Sequence, residues 1–322
     1  MINYSIIIPH KNIPDLLQRC INSIPEREDV EIIIVDDNSD PTIVNFMNFP
    51  GLTRENTKVI FTKKGKGAGY ARNIGMQQST GKWVLFADAD DYFVDGLLEK
   101  LDLYIDSHHD MILFKTECRM TNNISKKGHR QWLCTHWNNM IDAYKEDNKI
   151  FNNLLYECVV PWGKMVKKEF LINKKITFEE TKYSNDVIWS TLVHINLEIN
   201  TFTTSDKLLY YLTDRENSLF HTNNEEAFIC RYDVFLRQHK YLIDANIPIN
   251  KTFNHFHYFE IAKKFKINTL ISFIKHSIKV NRNIPPVYDI ENKLKLKYPF
   301  IYFIVIILQS IKRNYLISIL QK

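Results

Sequence analysis

Four short apolar runs, Ser5–Pro9, Glu31–Val35, Lys58–Thr62 and Trp83–Ala87, lie ahead of residue 88, and each stops abruptly at polar side chains. Runs this short, bulky and continuous are expected of strands covered on both faces, the environment of a parallel sheet. Helical stretches separate them: after Ser5–Pro9, Asn12 is placed to cap a helix with Leu16, Leu17, Cys20, Ile21 and Ile24 on its apolar side. The alternation predicts an α/β fold with a doubly wound, mainly parallel sheet flanked by helices. In such a sheet the polar strand ends, His10-Lys11-Asn12, Asp36-Asp37, Lys63-Lys64 and Asp88-Ala89-Asp90, line one edge. That carboxyl edge is where open α/β sheets bind ligands.

The fourth run is the most telling, because Trp83-Val84-Leu85-Phe86-Ala87 delivers three carboxylates, Asp88, Asp90 and Asp91. One acid would serve to cap a helix starting near Phe93. Three exceed that need, and Asp88 and Asp90, two residues apart, suit a shared divalent cation. Between the third and fourth runs, Gly65-Lys66-Gly67-Ala68-Gly69-Tyr70-Ala71-Arg72-Asn73 reads as a glycine loop entering a helix, with backbone able to approach a phosphate. It is not the dinucleotide fingerprint, since it follows the third strand and has Tyr70 at the last glycine position. Nor is it a Walker A loop, which needs Gly-Lys followed by Ser or Thr.

At 322 residues and 45% apolar content the chain can build a large core. Its five cysteines are scattered, without a C-x-x-C pair, and read as reduced core residues in a cytoplasmic protein, not as a metal site. No secretion signal precedes the first strand. Residues 251–322 hold 13 Lys/Arg against 3 Asp/Glu, leaving 29 against 34 before them. A mildly acidic body thus carries a basic tail suited to an anionic surface.

Together, Ser5-Ile6-Ile7-Ile8-Pro9, Val35-Asp36-Asp37-Asn38-Ser39, Gly69-Tyr70-Ala71-Arg72-Asn73-Ile74-Gly75 and Phe86-Ala87-Asp88-Ala89-Asp90-Asp91 resemble, in order and spacing, the family 2 inverting glycosyltransferases of the GT-A fold. The resemblance is specific to about residue 100 and looser afterwards. It implies a sugar transferred from a nucleotide donor, with Mg2+ or Mn2+ as cofactor, to a hydroxyl of a glycan or lipid-linked acceptor in cell-surface polysaccharide synthesis. It further implies that Pro9 borders the nucleotide, that Asp37, with Asp36 beside it, recognises the base, and that Arg72 reaches the nucleotide. Asp88 would lie by the ribose and share the metal with Asp90, while Asp91 supports the turn or faces the sugar.

Beyond the sheet half, Asp110–Lys115 reads as a strand and Thr121–His129 as a hairpin or mobile loop. Val159–Leu171 is similar to the family's acceptor-side segment, in which an aromatic residue and a lysine precede a short helix, although Trp162 serves equally well as a core residue. The helix entered at Asn185-Asp186 is similar to the one that supplies the family's catalytic base. Asp186 matches that base, and Asn185 stands where a glutamate is usual. Acid in a first turn can also merely complement the helix dipole. Leu208–Ser218 resembles the late strand, in which Arg215 would contact the diphosphate and Ser218 line the same loop; His221 is a further metal ligand or a surface histidine.

The expected organisation is therefore a nucleotide-sugar half over 1–110, an acceptor half over 111–224 and a helical, basic extension over 225–322, with helices at Glu225–Ala245 and Phe253–Val280. The eleven uncharged residues Tyr298–Leu308 are too few to span a bilayer, which needs ~20. Flanked by Lys293, Lys295, Lys297, Lys312 and Arg313, they suit an interfacial helix at the cytoplasmic membrane face, a core helix or a dimer contact. No nucleic-acid motif accompanies the charge. Two other functions fit the acids: a sugar-1-phosphate nucleotidyltransferase, whose basic loop after the first strand is missing, and a membrane-attached, glycosyltransferase-like scaffold without turnover.

Overall fold

The structure, a computed structural model, describes residues 1–215, 218, 219, 222–247 and 265. Its first half alternates β1 (Tyr4–His10), α1 (Pro14–Asn22), β2 (Val30–Asp37), β3 (Thr57–Thr62), α2 (Ala68–Gln78) and β4 (Trp83–Phe86). Every pairing among these four strands is parallel, with Ile7 opposite Ile33, Ile34 opposite Val59 and Ile6 opposite Leu85. The β-branched runs of β1 and β2 are buried almost throughout because the sheet covers them on both sides and α2 packs across them. Helix α2 approaches so closely that a Cβ on Gly75 would lie 2.4 Å from Ile7 Cγ2. At the sheet edge, β3 is correspondingly half-exposed.

Two local expectations give way to longer-range geometry. Asn12 does not cap α1; it sits at φ +58° and its side-chain oxygen accepts the Asp40 N–H at 2.8 Å. The helix starts instead on Pro14, whose missing N–H costs nothing at that position. Nor does a helix open near Phe93. Tyr92–Phe93 forms β5, pairing antiparallel with Tyr210 and Tyr211, and Phe93 packs edge-on against Tyr210 at 5.2 Å. Only after Gly96, at φ +70°, does α3 (Leu97–Asp102) begin.

The second half comprises β6 (Met111–Met120), β7 (Asn123–Lys127), α4 (Gln131–Glu146), α5 (Phe151–Glu157), β8 (Lys164–Lys167), α6 (Lys168–Asn173), α7 (Asn185–Asn196), β9 (Phe202–Asp214) and α8 (Glu225–Asp244). Strand order is β3-β2-β1-β4-β8-β6-β9-β5, with β7 paired to β6 as a hairpin. Beyond β4 the sheet is mixed: β8 runs antiparallel to both β4 and β6, whereas β6 and β9 are parallel. This is the flanked α/β sheet expected from the sequence, with its parallel character concentrated where the strand-end acids lie. One core joins the isoleucines of β1 and β2 to Phe86, Met165 and Trp189, and it takes in Trp162, stacked on Tyr210 at 5.8 Å.

Contacts divide the chain into one unit of Met1–Thr222 and Asp233–Pro248 and another of Asn223–Tyr232 and Ile249–Lys322. Within the second, Phe228 stacks on Tyr232 and meets Phe265 at 5.3 Å. The helix expected at Glu225–Ala245 is α8; His221, Phe253–Val280 and Tyr298–Leu308 lie outside the described residues. No described helix is long and apolar enough to cross a membrane.

Candidate active site

The ends of β1, β2 and β4 meet where strand order turns from β1 toward β4. Pro9 is buried there beside His10. The Ile13 N–H donates to His10 Nε2 at 3.1 Å, so Nδ1 carries the ring proton and donates to Asp36 at 2.8 Å. Asp36 also accepts the Ser39 N–H at 2.9 Å. Burial alone would raise its carboxyl, but the His10 and Ser39 hydrogen bonds outweigh burial and hold it below the usual carboxylate range. Asp36 thus faces inward and fixes the turn that presents Asp37. Asp37 accepts the Lys66 N–H at 2.9 Å and the Gly67 N–H at 2.8 Å, tying the glycine loop to the end of β2. Gly67, at φ +96°, has the backbone that turns this loop into α2.

The turn after β4 brings Asp88, Asp90 and Asp91 together, each with an oxygen within 4.8 Å of the others'. Its backbone is held from far along the chain. The Asp88 N–H donates to Tyr210 Oη at 2.8 Å, while the Asp90 carbonyl accepts from Arg19 Nη2 at 2.6 Å and from the Thr213 hydroxyl. Asp91 turns inward, accepting the Thr213 N–H at 2.7 Å; burial, then the Asp90 and Asp88 charges, push its carboxyl well up. Asp90 is also raised, by burial and by Asp88, against the opposing charge of Arg215, whose Nε lies 3.1 Å from Asp90 Oδ2. Ser218 donates its N–H to the Arg215 carbonyl, closing the following turn.

This cluster fits a divalent cation: the donors are hard carboxylate oxygens, and their crowding in a partly dry site is what a cation relieves. Asp91 accepts the Thr213 N–H and is buried, whereas the side chains of Asp88 and Asp90 are partly exposed.

Opposite them, α7 begins with Asn185-Asp186. The segment before it is stitched to α2. Asn73 exchanges two 2.8 Å hydrogen bonds with the Phe178 backbone, Lys66 pairs with Glu180 at 2.7 Å, and a Cβ on Gly69 would lie 1.9 Å from the Glu179 carbonyl. Asp186 is half-buried, and desolvation raises its carboxyl, partly offset by the Arg72 charge. Arg72 itself donates to Asp88 at 2.6 Å and to Asn185 at 2.8 Å. Below α7, the buried Lys164 ammonium donates to the Cys158 carbonyl at 2.6 Å and lies 3.3 Å from Ser190 Oγ; burial lowers it to about 8.

Asp88, Asp90, Asp91, Arg72, Asp186 and Arg215 therefore share one neighbourhood, while Asp36 and Asp37 are held at the end of β2 by His10, Ser39 and the glycine loop. Arg19, Tyr210 and Thr213, which hold the acidic turn, carry no local motif. For Tyr210 and Thr213 the sequence signal is that the long strand Phe202–Asp214 runs straight into the predicted Arg215; Arg19, on α1, has none.

A profile described as "Glycosyl transferase family 2" matches residues 5–170. The chain belongs to glycosyl transferase family 2. This family 2 chain is 26% identical over 223 residues to the poly(ribitol-phosphate) beta-N-acetylglucosaminyltransferase TarS of Staphylococcus aureus, covering 67% of this chain and 36% of TarS. It is 28% identical over 219 residues to a poly(ribitol-phosphate) beta-glucosyltransferase of Bacillus spizizenii, covering 66% and 32%. The chain thus spans about a third of the length of these curated relatives. Among solved structures, S. aureus TarS 1-349 in complex with UDP-GlcNAc superimposes with TM-score 0.63 at 21% identity, over 87% of this chain and 81% of that one. The shared fold is the GT-A type.

Proposed function

We propose that the protein is a metal-dependent, inverting glycosyltransferase that moves a sugar from a UDP-sugar to a hydroxyl of a cell-surface glycan or lipid-linked acceptor. The observation that carries this reading is Arg72, which joins the acids of the β4 turn to the first turn of α7. The relatives add N-acetylglucosamine and glucose as candidate sugars and an alditol-phosphate polymer as candidate acceptor.

On this reading Pro9 and Asp37 border the nucleoside, with Asp36 holding Asp37 in place. A Mg2+ or Mn2+ ion held by Asp88 and Asp90 would supply positive charge to the departing diphosphate. Arg215, already beside Asp90, adds a second positive charge there. Asp186 takes the proton from the acceptor hydroxyl; that oxygen forms the new bond at the anomeric carbon as the sugar–phosphate bond breaks, and the electron pair leaves with the diphosphate. Attack opposite the leaving group inverts the anomeric centre. The basic tail, with a net charge of +10 over residues 251–322, supports an anionic membrane surface as the place of work.

The test is release of nucleoside diphosphate from a panel of UDP-sugars with Mn2+ or Mg2+ and an alditol-phosphate acceptor. Metal-dependent turnover that Asp90→Ala abolishes is expected. Absence of binding and turnover across the panel would sink the proposal.

A further inference from the structure

Arg72 is buried, with a side chain 6% exposed, and its guanidinium is held from two sides of unlike charge. Nη2 donates to the Asp88 carboxylate at 2.6 Å, and Nη1 donates to the neutral Asn185 side-chain oxygen at 2.8 Å. The face of the group lies over Phe178, 5.3 Å from the ring centroid. Nε is buried without a hydrogen-bond partner among the described residues, so the fork's hydrogen bonds run to Asp88 and Asn185. Asn185 is itself anchored, its Nδ2 lying 3.4 Å from the Thr181 carbonyl, at the end of the segment that Asn73 and Gly69 lock onto α2. Because it is uncharged, Asn185 takes a hydrogen bond from Arg72 without cancelling its charge.

Resting on the reading of Asp186 as the base, we propose that Asn185 is a positioning residue. It aims Arg72 at Asp88, which fixes the donor-side acids relative to Asp186, and it leaves the Arg72 charge available to both carboxylates. The groups whose charges act on Asp186 are Arg72 from α2, Asp88 from the turn after β4 and Lys164 from β8. Arg72 is the strongest of the three and favours the ionised base, while Asp88 opposes it.

Three substitutions separate acceptor, shape and charge. Asn185→Leu keeps the volume without the acceptor, and Asn185→Ala serves if the leucine does not fold. Asn185→Asp keeps the acceptor and adds a negative charge. With a UDP-sugar that turns over, Asn185→Leu is expected to lower kcat about tenfold or more while donor KM stays within about threefold. The double variant with Arg72→Met should be no slower than Arg72→Met alone, because both remove the same link. Asn185→Asp should keep most of kcat at high pH but move the acid limb of the kcat profile upward, since the new carboxylate neutralises Arg72.

Wild-type kcat in Asn185→Leu, losses that multiply in the double variant, or an unshifted Asn185→Asp profile would each overturn the proposal. If the wild type itself releases no nucleoside diphosphate from any donor, the functional reading falls and takes this inference with it. An active wild type with an indifferent Asn185→Leu sinks this inference alone.

Discussion

To serve as the base proposed for it, Asp186 must be ionised, yet desolvation favours its neutral form. Its carboxyl is therefore expected to lose its charge above the ordinary Asp value of about 3.9. The kcat profile should fall on the acid side at correspondingly higher pH, and Asp186→Asn should lower kcat by roughly 10³-fold, within the usual range for a lost general base, with donor binding by calorimetry unchanged. The motif around this residue was legible because Asp186 sits one position into a helix with an apolar face. The hydrogen bond that ties Arg72 to the neighbouring Asn185 was not, since 113 residues separate the two. The same holds for Asp91: the sequence left it to support the turn or to face the sugar, and its hydrogen bond from the Thr213 N–H, 122 residues away, is one that no local pattern shows.

At the scale of elements, the acidic turn is carried by β4 but shaped by α1 and β9. Arg130, at the N-terminal boundary of α4, locks the end of β9 by donating to Asp214, whose side chain is 5% exposed, and to the Thr213 carbonyl at 2.7 Å. Arg130→Ala strands a buried carboxylate and should destabilise the protein by about 3 kcal/mol in urea unfolding, the lower end for a broken buried pair. Burial would raise Asp214, but the Arg130 hydrogen bonds outweigh it and lower the carboxyl. This contribution is fully present above the unfolded value near 3.9 and is lost as pH falls through the lower folded value. The gap between wild type and Arg130→Ala should therefore narrow in acid. Gly69→Ala places a methyl against the Glu179 carbonyl and should cost roughly 1–3 kcal/mol by overpacking. It should also slow turnover, because the displaced segment leads into α7.

For the whole molecule, the alternating strands and helices before residue 88 gave the sheet class, and polar strand ends marked the edge where the candidate site lies. Those are local patterns with a fixed period. Antiparallel β8, inserted between β4 and β6, and the two-residue β5 follow from pairings that no local period encodes. A donor that binds the folded protein should raise the thermal midpoint, by an amount set by about RT ln(1 + [L]/Kd). UDP-GlcNAc with Mn2+ is expected to do so in the wild type and not in Asp90→Ala, read by differential scanning fluorimetry. The anchoring of the Asp90 carbonyl by Arg19 and Thr213, 71 and 123 residues away, also orders events in time. A ribosome-bound chain released as far as Asp91 already holds the acids of the β4 turn but neither Arg215 nor the strand that sets their turn. Nucleotide affinity should thus appear late in synthesis, only once β9 has emerged and paired with β6, so binding competence reports completion of the sheet.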